Sequence, residues 1–558
     1  MMKRFCILDC YVDEPACLGV PPFVSPYPRY IFGALVRAGV DETRIRYLTI
    51  DALREKDYHL DGVYDLVFLI GGAVVPGKYL GSRIGTLAEI RRIAERNAEQ
   101  NFAVGGLISR VLDEKPNTLL VADDIEKFAH TYALNEPSDS RRSAHEIASW
   151  AVSGAPVMKQ HPRYPDLICE IETYRGCPRT SHCSFCSEGL FGTVEFREPE
   201  DIIAEIDALI DAGISRFRLG RQADILQYKS DFTHFIRGFP RPRTAPILDL
   251  LSGLREKKSK GYITTLNIDN ANPGTIAHYP EEASRILEGI VATITPGDTL
   301  ALGVESFDPH VIAANNLKVS GDEALTAIEI INRIGGGRMN SIPVLLPGVN
   351  LLHGLPGESA GTFEENYRWL RKIRDRGLLV KRINMRQVLP FPGTPLYNIK
   401  ATVPRAATHR FIYYRDKIRS EIEHYMLQRI YPVGTIIREN QILDMRAGYS
   451  YGKQIASYSI TVKFPLHLPV KSFHDAVVIG HRERSLLALP NPIPLNSLPQ
   501  KAIELIPGVG KKRGADFVLG RPFKEMKDAL KILDGADEAI TEKFSLTGEA
   551  LISQKHIP

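Results

Sequence analysis

Three cysteines, Cys177, Cys183 and Cys186, lie within the short segment GCPRTSHCSFCSEG and are spaced C-x5-C-x2-C. Thiolates are ligands for both iron–sulfur clusters and zinc, and a cubane cluster held by three cysteines leaves one iron open to a substrate or cofactor. The alternative is a structural zinc site that Cys169 or His182 completes as the fourth ligand. A disulfide is the least favoured interpretation, because the cysteines of a cytosolic chain more often bind metals or act in catalysis.

The elements around the cysteines indicate how they are positioned. The segment DLICEIETYRG has the apolar pattern of a buried strand and runs directly into the cysteine loop. Beyond residue 166, strand patterns alternate with amphipathic helices such as EPEDIIAEIDALIDAG, which gives six strands and five intervening helices. Strands joined by helical crossovers are parallel, so this part predicts a partial (β/α)6 barrel with its site at the carboxyl ends of the strands.

A cysteine loop after the first strand of such a barrel resembles that of the radical S-adenosylmethionine (radical SAM) superfamily, in which the usual spacing is C-x3-C-x2-C. The resemblance implies that Cys177, Cys183 and Cys186 hold a [4Fe–4S] cluster, whose open iron binds SAM and whose electron cleaves it to a 5′-deoxyadenosyl radical. Four later segments are similar to strand-end segments of that superfamily: RFRLGRQADILQY, LGVESFDPHVIAANNLK, LLHGLPGES and VLPFPGTPLY. The resemblance implies cofactor binding by Phe185, Gly220, Arg221, Gln222, Glu305, Ser306, Gly354 and Leu355. It assigns no further catalytic side chain.

The first 155 residues also alternate strand and helix patterns, which predicts an open, doubly wound, mostly parallel sheet. This part resembles the cobalamin-binding domain that precedes many radical SAM barrels, in the segments VSPYPRYIFGALVRAGV and FLIGGAVV. The Asp-x-His-x-x-Gly motif of cobalt ligation is absent, because DEPACLG has no histidine. Three interpretations therefore stay open: cobalamin binding, an auxiliary iron–sulfur cluster on Cys6, Cys10 and Cys17, or a Rossmann-like domain without a cofactor.

The C-terminal part carries a nucleic-acid signal. Residues 431–490 alternate as short strands and predict a small β-barrel that loosely resembles a TRAM domain. The segment KAIELIPGVGKKRGADFVLGRPF then resembles a helix-hairpin-helix module. Its glycines allow a phosphate to approach the backbone, and basic side chains follow directly. The residues expected to bind are Gly508, Gly510, Lys511, Lys512 and Arg513. The alternative is a helical hairpin that serves only packing or protein contact.

The bulk composition sets limits on these interpretations. The chain has 558 residues, a net charge of +4 and 44% hydrophobic residues, which is typical of a multidomain globular protein. We find no apolar run long enough for a membrane span and no signal peptide, so we expect a cytoplasmic protein with no membrane partner. The predicted fold is an α/β multidomain chain with a Rossmann-like domain at 1–155, the barrel at 160–428, the small β-barrel at 431–490 and the helix-hairpin-helix domain at 491–558.

The function expected from these features is a radical SAM enzyme that inserts a methyl or methylthio group into a nucleic acid. The resemblance favours tRNA, leaves DNA open and implies an electron donor protein as a further partner. Two alternatives remain. One is a radical SAM enzyme that acts on a protein or small metabolite and uses the C-terminal motif as a docking module. The other is a non-enzymatic, metal-stabilised nucleic-acid-binding protein.

Overall fold

The structure is a computed structural model that describes residues 3–12, 23–72, 83–113, 117–121, 124–137, 141–399, 405–456 and 458–547. The chain forms two compact units, Met1–Thr295 with Leu389–Lys400, and Pro296–Val388 with Ala401–Pro558. The boundary at Thr295 falls inside the predicted barrel, so the two halves of that barrel are described with their own units. Cys17, one of the cysteines considered for an auxiliary cluster, lies outside the described residues.

The first unit is an alternation of strands and helices, as the sequence pattern predicts. Its strands are β1 Phe5–Asp9, β2 Phe23–Val24, β3 Ile45–Thr49, β4 Leu66–Ile70, β5 Phe102–Gly105, β6 Thr118–Leu120, β7 Ile168–Glu172, β8 Tyr174–Arg175, β9 Glu195–Phe196, β10 Arg216–Arg221, β11 Asp231–Ile236, β12 Phe239–Arg241 and β13 Thr265–Ile268. Its α-helices are α1 Tyr27–Arg37, α2 Ile50–Arg54, α3 Leu87–Arg96, α4 Ile125–Leu134, α5 Ala144–Gly154, α6 Pro199–Asp211, α7 Thr244–Ser259, α8 Pro273–His278 and α9 Pro280–Val291.

The N-terminal strands form a five-stranded parallel sheet in the order β3-β1-β4-β5-β6. Every residue of β1 and of β4 is buried, which explains why these strands are continuous apolar runs in the sequence. Helices α1 and α5 cross at very short range, because a Cβ at Gly33 would overlap the carbonyl oxygen of Trp150. Glycine is therefore needed at this crossing for packing.

The cysteine loop belongs to a second parallel sheet, in the order β13-β10-β7-β2. Strands β7, β10 and β13 correspond to the first three predicted barrel strands. The edge strand β2 has only two residues, too few for a readable pattern, and the sequence analysis missed it. The fully buried guanidinium of Arg29 in α1 donates to Glu205 in α6 at 2.8 Å and to the carbonyl of Glu170 in β7, which ties both helices to this second sheet.

The second unit contains the remaining barrel strands and the C-terminal modules. Its strands are β14 Asp298–Glu305, β15 Arg338–Met339, β16 Ile342–Pro343, β17 Leu345–His353, β18 Arg382–Gln387, β19 Ile436–Arg446, β20 Tyr449–Gln454, β21 Thr461–Phe464, β22 Phe473–His481, β23 Ser485–Pro490, β24 Ile493–Pro494 and β25 Phe544–Ser545. Its α-helices are α10 Pro309–Ala314, α11 Gly321–Gly335, α12 Ala360–Asp375, α13 Arg405–Ile418, α14 His424–Ile430, α15 Gln500–Glu504, α16 Gly510–Leu519, α17 Met526–Ile532 and α18 Glu538–Thr541.

Strands β14, β17 and β18 form a parallel sheet in that order, so each of the six predicted barrel strands is present and is parallel to its partners. The strands of residues 436–490 close into a five-stranded barrel in the order β19-β20-β21-β23-β22, which confirms the predicted small β-barrel. Four short helices follow, bracketed by the pairing of β24 with β25. In the described part of the chain, no helix is both long and apolar enough to cross a membrane.

Candidate active site

The cysteine loop is closed at its base by a short antiparallel pair. Strands β8 and β9 pair Tyr174 with Phe196, and the two rings lie 5.0 Å apart. The hydroxyl of Tyr174 donates to the carbonyl of Asp224 at 2.6 Å and accepts from its N–H at 2.7 Å. Gly176, with φ of +91°, starts the loop in the left-handed region that glycine tolerates best. The loop is thus held by the end of β7 and by the segment after β10.

The three predicted ligands lie within this loop as thiols. Cys183 is buried, while Cys177 and Cys186 are partly exposed. The N–H of Cys186 donates to the carbonyl of Cys183 at 3.1 Å, so the C-x2-C step forms a turn, with a half-buried Phe185 inside it. Among the described His, Cys, Asp and Glu residues, no three side chains form a group arranged to hold a metal ion.

The two residues considered as a fourth zinc ligand have other surroundings. Cys169 is fully buried in β7, and burial raises the pKa of its thiol to about 11. His182 has its Nε2 3.4 Å from the carbonyl oxygen of Cys177, and its ring packs against Gly189. Cys169 thus lies in the buried strand that precedes the loop, whereas His182 lies in the loop itself.

The widened gap of the motif supplies an arginine that the sequence analysis did not single out. Arg179 is 6% exposed, and its Nη1 lies 3.4 Å from the Sγ of Cys183. The same guanidinium lies 4.8 Å from the centre of the Phe239 ring. The next residue, Thr180, donates its N–H to the carbonyl of Gly238 at 3.0 Å. The extra length of the C-x5-C gap was the only signal in the sequence.

The residues after β10 have structural partners as well as a place near the loop. Gln222 accepts from the hydroxyl of Thr173 at 3.3 Å and donates to the carbonyl of Asp269 at 2.7 Å, so it joins the ends of β7, β10 and β13. Gly220 is required for space, because a Cβ there would lie 2.6 Å from Oε1 of Glu170. Arg221 donates to the hydroxyl of Tyr27 at 3.1 Å and faces a cavity described below.

Two of the predicted cofactor-binding residues, Glu305 and Ser306, lie at the end of β14 in the second unit. Glu305 has φ of +68° at a shift in the β14–β17 register. Burial raises the pKa of its carboxyl, and nearby Lys318 partly offsets this effect. Ser306 is 1% exposed, and its hydroxyl lies 3.4 Å from Oδ1 of Asn366 and accepts from the N–H of Asp308 at 3.1 Å. The serine is therefore held by neighbouring backbone and amide groups.

Two further predicted cofactor-binding residues, Gly354 and Leu355, follow β17 in the same unit. Gly354, with φ of +86°, donates its N–H to Oε2 of Glu358 at 3.0 Å, and Leu355 is buried. The same carboxylate oxygen lies 2.9 Å from Nδ1 of His353, whose ring is stacked on Phe363 at 4.5 Å. A rigid turn thus ends this strand.

A cavity of about 400 Å³ lies in the first unit, beside the cysteine loop and at the carboxyl ends of β5 and β6. Open α/β sheets bind ligands at this edge. Its charged lining is Arg110, Asp124, Glu126, Arg141, Arg142, Arg175, Glu195 and Arg221. Arg142 lies 2.8 Å from Glu126 and also pairs with Glu172, and Arg175 pairs with Asp124. Burial opposes ionisation of Asp124, but Arg175 and Arg142 hold its pKa below the usual range.

The C-terminal hairpin has a different geometry at each glycine. Gly508 has φ of +86°, and a Cβ there would overlap the carbonyl oxygen of Gly535 in a second helical hairpin. Gly510 has φ of +70°, and no described atom lies within 4 Å of its Cβ position. Lys511, Lys512 and Arg513 are exposed on the first turn of α16, and Arg513 donates to the carbonyl of Gly508 at 2.6 Å.

The family of the chain follows from comparison with known proteins. The model of the radical SAM superfamily matches residues 171–370, a range that starts in β7 and includes the cysteine loop. The chain carries a radical SAM domain over these residues. An uncharacterized protein of Archaeoglobus fulgidus is 38% identical over 524 residues, which cover 93% of this chain and 95% of that protein. A tRNA-2-methylthio-N(6)-dimethylallyladenosine synthase of Corynebacterium diphtheriae is 24% identical over 349 residues, or 60% of this chain and 62% of the synthase.

Among solved structures, the radical SAM methyltransferase TsrM from Kitasatospora setae, with cobalamin and a [4Fe–4S] cluster bound, is similar at a TM-score of 0.47. It is 12% identical, and the match covers 71% of this chain and 77% of TsrM. Radical SAM proteins are enzymes that use a [4Fe–4S] cluster and SAM, so this chain is an enzyme with these cofactors. The donor set fits that cluster, since one loop offers three thiols and the only buried one of them lies beside a cationic guanidinium.

Proposed function

We propose that this radical SAM enzyme modifies a nucleic acid, with tRNA as the favoured substrate, by insertion of a methyl or methylthio group. The observation that carries the proposal is the open turn at Gly510 with three exposed basic side chains on the following helical turn. The first N–H groups of a helix have no intrahelical acceptor, and the helix dipole favours an anion there. A phosphate can approach because, apart from the chain neighbours and the backbone of the same helix, no described atom lies within 4 Å of the position that a Cβ would take at Gly510. Backbone contacts of this kind position a nucleic acid without reading its sequence.

The small β-barrel supports the same substrate class. The ring of Tyr451 in β20 has Arg446 at 4.6 Å and Lys463 at 5.3 Å from its centre. The ring of Tyr449 lies 4.4 Å from Nζ of Lys501 in α15, so this face continues into the hairpin module. Alternating tyrosines and cations bind single-stranded nucleic acids through base stacking and phosphate contacts. The barrel and the hairpin would therefore hold one nucleic acid together.

The roles of the chain's own residues follow from the site. Cys177, Cys183 and Cys186 would hold the cluster, which supplies the electron that cleaves SAM to a 5′-deoxyadenosyl radical. Gly220 keeps the space next to Glu170 open, and Gln222 fixes three strand ends at a constant distance. The remaining cofactor positions are proposed to contact SAM: Phe185 in the cysteine loop, and Arg221, Glu305, Ser306, Gly354 and Leu355 at the ends of β10, β14 and β17.

The choice between methyl and methylthio transfer depends on the N-terminal domain. Cys6 and Cys10 are fully buried, and burial raises the pKa of the Cys6 thiol to about 12 and that of Cys10 well above its usual value. Both thiols belong to the apolar core of the N-terminal sheet, where a buried free cysteine is ordinary, and this surrounding does not favour an auxiliary cluster at these two positions. Cobalt, iron and sulfide analysis of anaerobically purified protein distinguishes methyl transfer from methylthio transfer. Methyl transfer through cobalamin predicts cobalt in the protein, and methylthio transfer predicts more iron than one cluster contains.

Charge reversal tests the nucleic-acid proposal. The variant Lys511→Glu/Lys512→Glu/Arg513→Glu should weaken tRNA binding and lower the slope of log K against log salt by about 2–3, since each lost phosphate contact removes up to about 0.9. The matched control reverses the charge of Lys527 and Lys531 in α17 by substitution with glutamate. These two lysines already pair with Glu525 and Asp528. Unchanged tRNA affinity and salt slope in the triple variant would contradict the proposal.

A second candidate is an enzyme that acts on a small polar metabolite, and the charged cavity of about 400 Å³ beside the cysteine loop favours it. Ligand sites of small molecules have this size and a few convergent polar groups. Deletion of residues 491–558 distinguishes the candidates. It should abolish tRNA binding under the first proposal and leave substrate-dependent 5′-deoxyadenosine formation intact under the second.

A further inference from the structure

A β-hairpin inserted between β10 and α7 carries a feature that the reaction at the cofactors does not explain. Strands β11 and β12 are joined by a two-residue turn, Arg237–Gly238, in which both residues have positive φ, 48° and 81°. The returning strand is fixed, because Phe239 is 1% exposed and its carbonyl accepts from the hydroxyl of Tyr279 at 3.0 Å. The outgoing strand β11 lies at the surface.

Three large apolar side chains of β11 face water. Phe232, Phe235 and Ile236 are 43%, 38% and 37% exposed. The rings of Phe232 and Phe235 lie 6.2 Å apart, and Phe232 lies 6.0 Å from Phe196, so the exposed rings extend a row that begins in the interior. A contiguous apolar patch that is exposed to solvent indicates a surface that a partner covers.

The same hairpin is cationic. The cations Arg237 and Arg243 are exposed, and His234 is exposed within β11. The one carboxylate within the hairpin, Asp231, accepts from the N–H and the hydroxyl of Thr233, at 2.8 and 2.6 Å. We define the hairpin patch as Phe232, His234, Phe235, Ile236, Arg237 and Arg243. A small apolar centre with a positive rim matches a partner with an acidic surface.

The β11–β12 hairpin that carries the hairpin patch is connected directly to the cysteine loop through Gly238 and Phe239. The carbonyl of Gly238 accepts from the N–H of Thr180, and a Cβ at Gly238 would lie 2.7 Å from the Thr180 hydroxyl oxygen. Arg179 bridges the ring of Phe239 and the sulfur of Cys183. The patch is therefore the outer surface of an element that contacts the ligand loop from within the same unit.

We propose that the hairpin patch is the docking surface for an acidic protein that donates single electrons, through a flavin or an iron–sulfur centre, to the cluster. In this step the donor loses one electron and the oxidised [4Fe–4S]²⁺ cluster becomes [4Fe–4S]⁺, with no transfer of atoms. Transient redox complexes use small interfaces that depend on charge. Nucleic acids are less suited to the patch, since an exposed isoleucine beside the rings adds no stacking surface. The inference holds for either proposed substrate.

Reduction of the cluster-loaded protein by a reduced flavodoxin, followed by stopped-flow absorbance without SAM, tests this inference. Phe232→Ser/Phe235→Ser should lower the second-order rate constant about 10-fold or more, as loss of an apolar contact centre does. Arg237→Glu/Arg243→Glu should lower it by a similar factor and flatten its dependence on salt. Reduction by dithionite, iron content and tRNA binding should not change. The control is Tyr262→Ser, which removes an aromatic side chain that is 54% exposed elsewhere in this unit.

Flavodoxin rates equal to those of the parent protein in both double variants would overturn the inference. The same is true if the variants lose tRNA affinity while flavodoxin reduces them normally, because the patch would then be a nucleic-acid surface. A third outcome is that both double variants are reduced more slowly by dithionite and by flavodoxin alike. This outcome would show that the hairpin only supports the cysteine loop, and it would also overturn the inference.

Discussion

Replacement of Arg179 by glutamine should make the cluster harder to reduce. The guanidinium is almost fully buried, and its Nη1 lies 3.4 Å from the sulfur of Cys183, one of the three cluster ligands. A reduced cluster carries one more negative charge than an oxidised cluster, and a fixed positive charge nearby stabilises the reduced form. Glutamine keeps a polar side chain of moderate length but removes this charge. The reduction potential of the Arg179→Gln protein should therefore be more negative.

The size of the effect follows from Coulomb's law. The interaction energy between a unit positive charge and a unit negative charge on the sulfur, at the observed distance of 3.4 Å, is about 5 kcal/mol at an effective dielectric constant of about 20. The added electron is spread over the whole cluster, so we take about a quarter to a half of this value, roughly 1–2.5 kcal/mol. For a one-electron couple this corresponds to a shift of about 50–100 mV, since about 59 mV is a factor of ten.

The assay is a redox titration of the cluster-loaded protein, without SAM, followed by the electron paramagnetic resonance signal of the reduced cluster. Arg179→Lys keeps the charge and should shift the potential much less, which separates charge from shape. His182→Gln, in the same gap, changes a side chain without removing a permanent charge and serves as a second control. A shift smaller than about 20 mV, or a shift to a less negative potential, would refute the reasoning that the guanidinium acts on the cluster.

The parts of the fold that the sequence predicted are those with local signals. The alternation of apolar strands and amphipathic helices predicted six barrel strands, and all six are present. Five of them are buried over most of their length, whereas in β18 only Ile383 is buried. The closed barrel of residues 436–490 was predicted in the same way, from short alternating runs. The cysteine loop was recognised because three thiols within ten residues, 177–186, have few interpretations.

What the sequence did not predict depends on contacts between distant residues. The β11–β12 hairpin lies in a stretch to which the sequence pattern assigned no element, and its link to the cysteine loop is a backbone bond between Thr180 and Gly238. The segment 389–400 also reaches that loop, where the N–H of Leu396 donates to the carbonyl of Ser184 at 2.9 Å. Backbone hydrogen bonds of this kind do not depend on the type of side chain, so no sequence pattern predicts them.

Three further predictions test the packing and the electrostatics described above. Gly220→Ala should lower thermal stability by about 1–3 kcal/mol, because the new Cβ would lie 2.6 Å from Oε1 of Glu170; an unchanged melting temperature would show that the site relaxes freely. In the cluster-free protein, iodoacetamide should label Cys177 and Cys186 before the buried strand cysteines, and mass spectrometry with the opposite order would contradict the burial. Lys453→Met should stabilise the small barrel at pH 7, because burial, reinforced by a neighbouring arginine, lowers the pKa of Lys453 to about 8. The folded state then binds fewer protons than the unfolded state between about pH 8 and pH 10.5, so the stability of the parent protein rises through this window. The gain from methionine, about 1–2 kcal/mol at pH 7, should therefore shrink by pH 10, and melting curves that show an equal gain at both pH values would mean that the ammonium carries no burial cost.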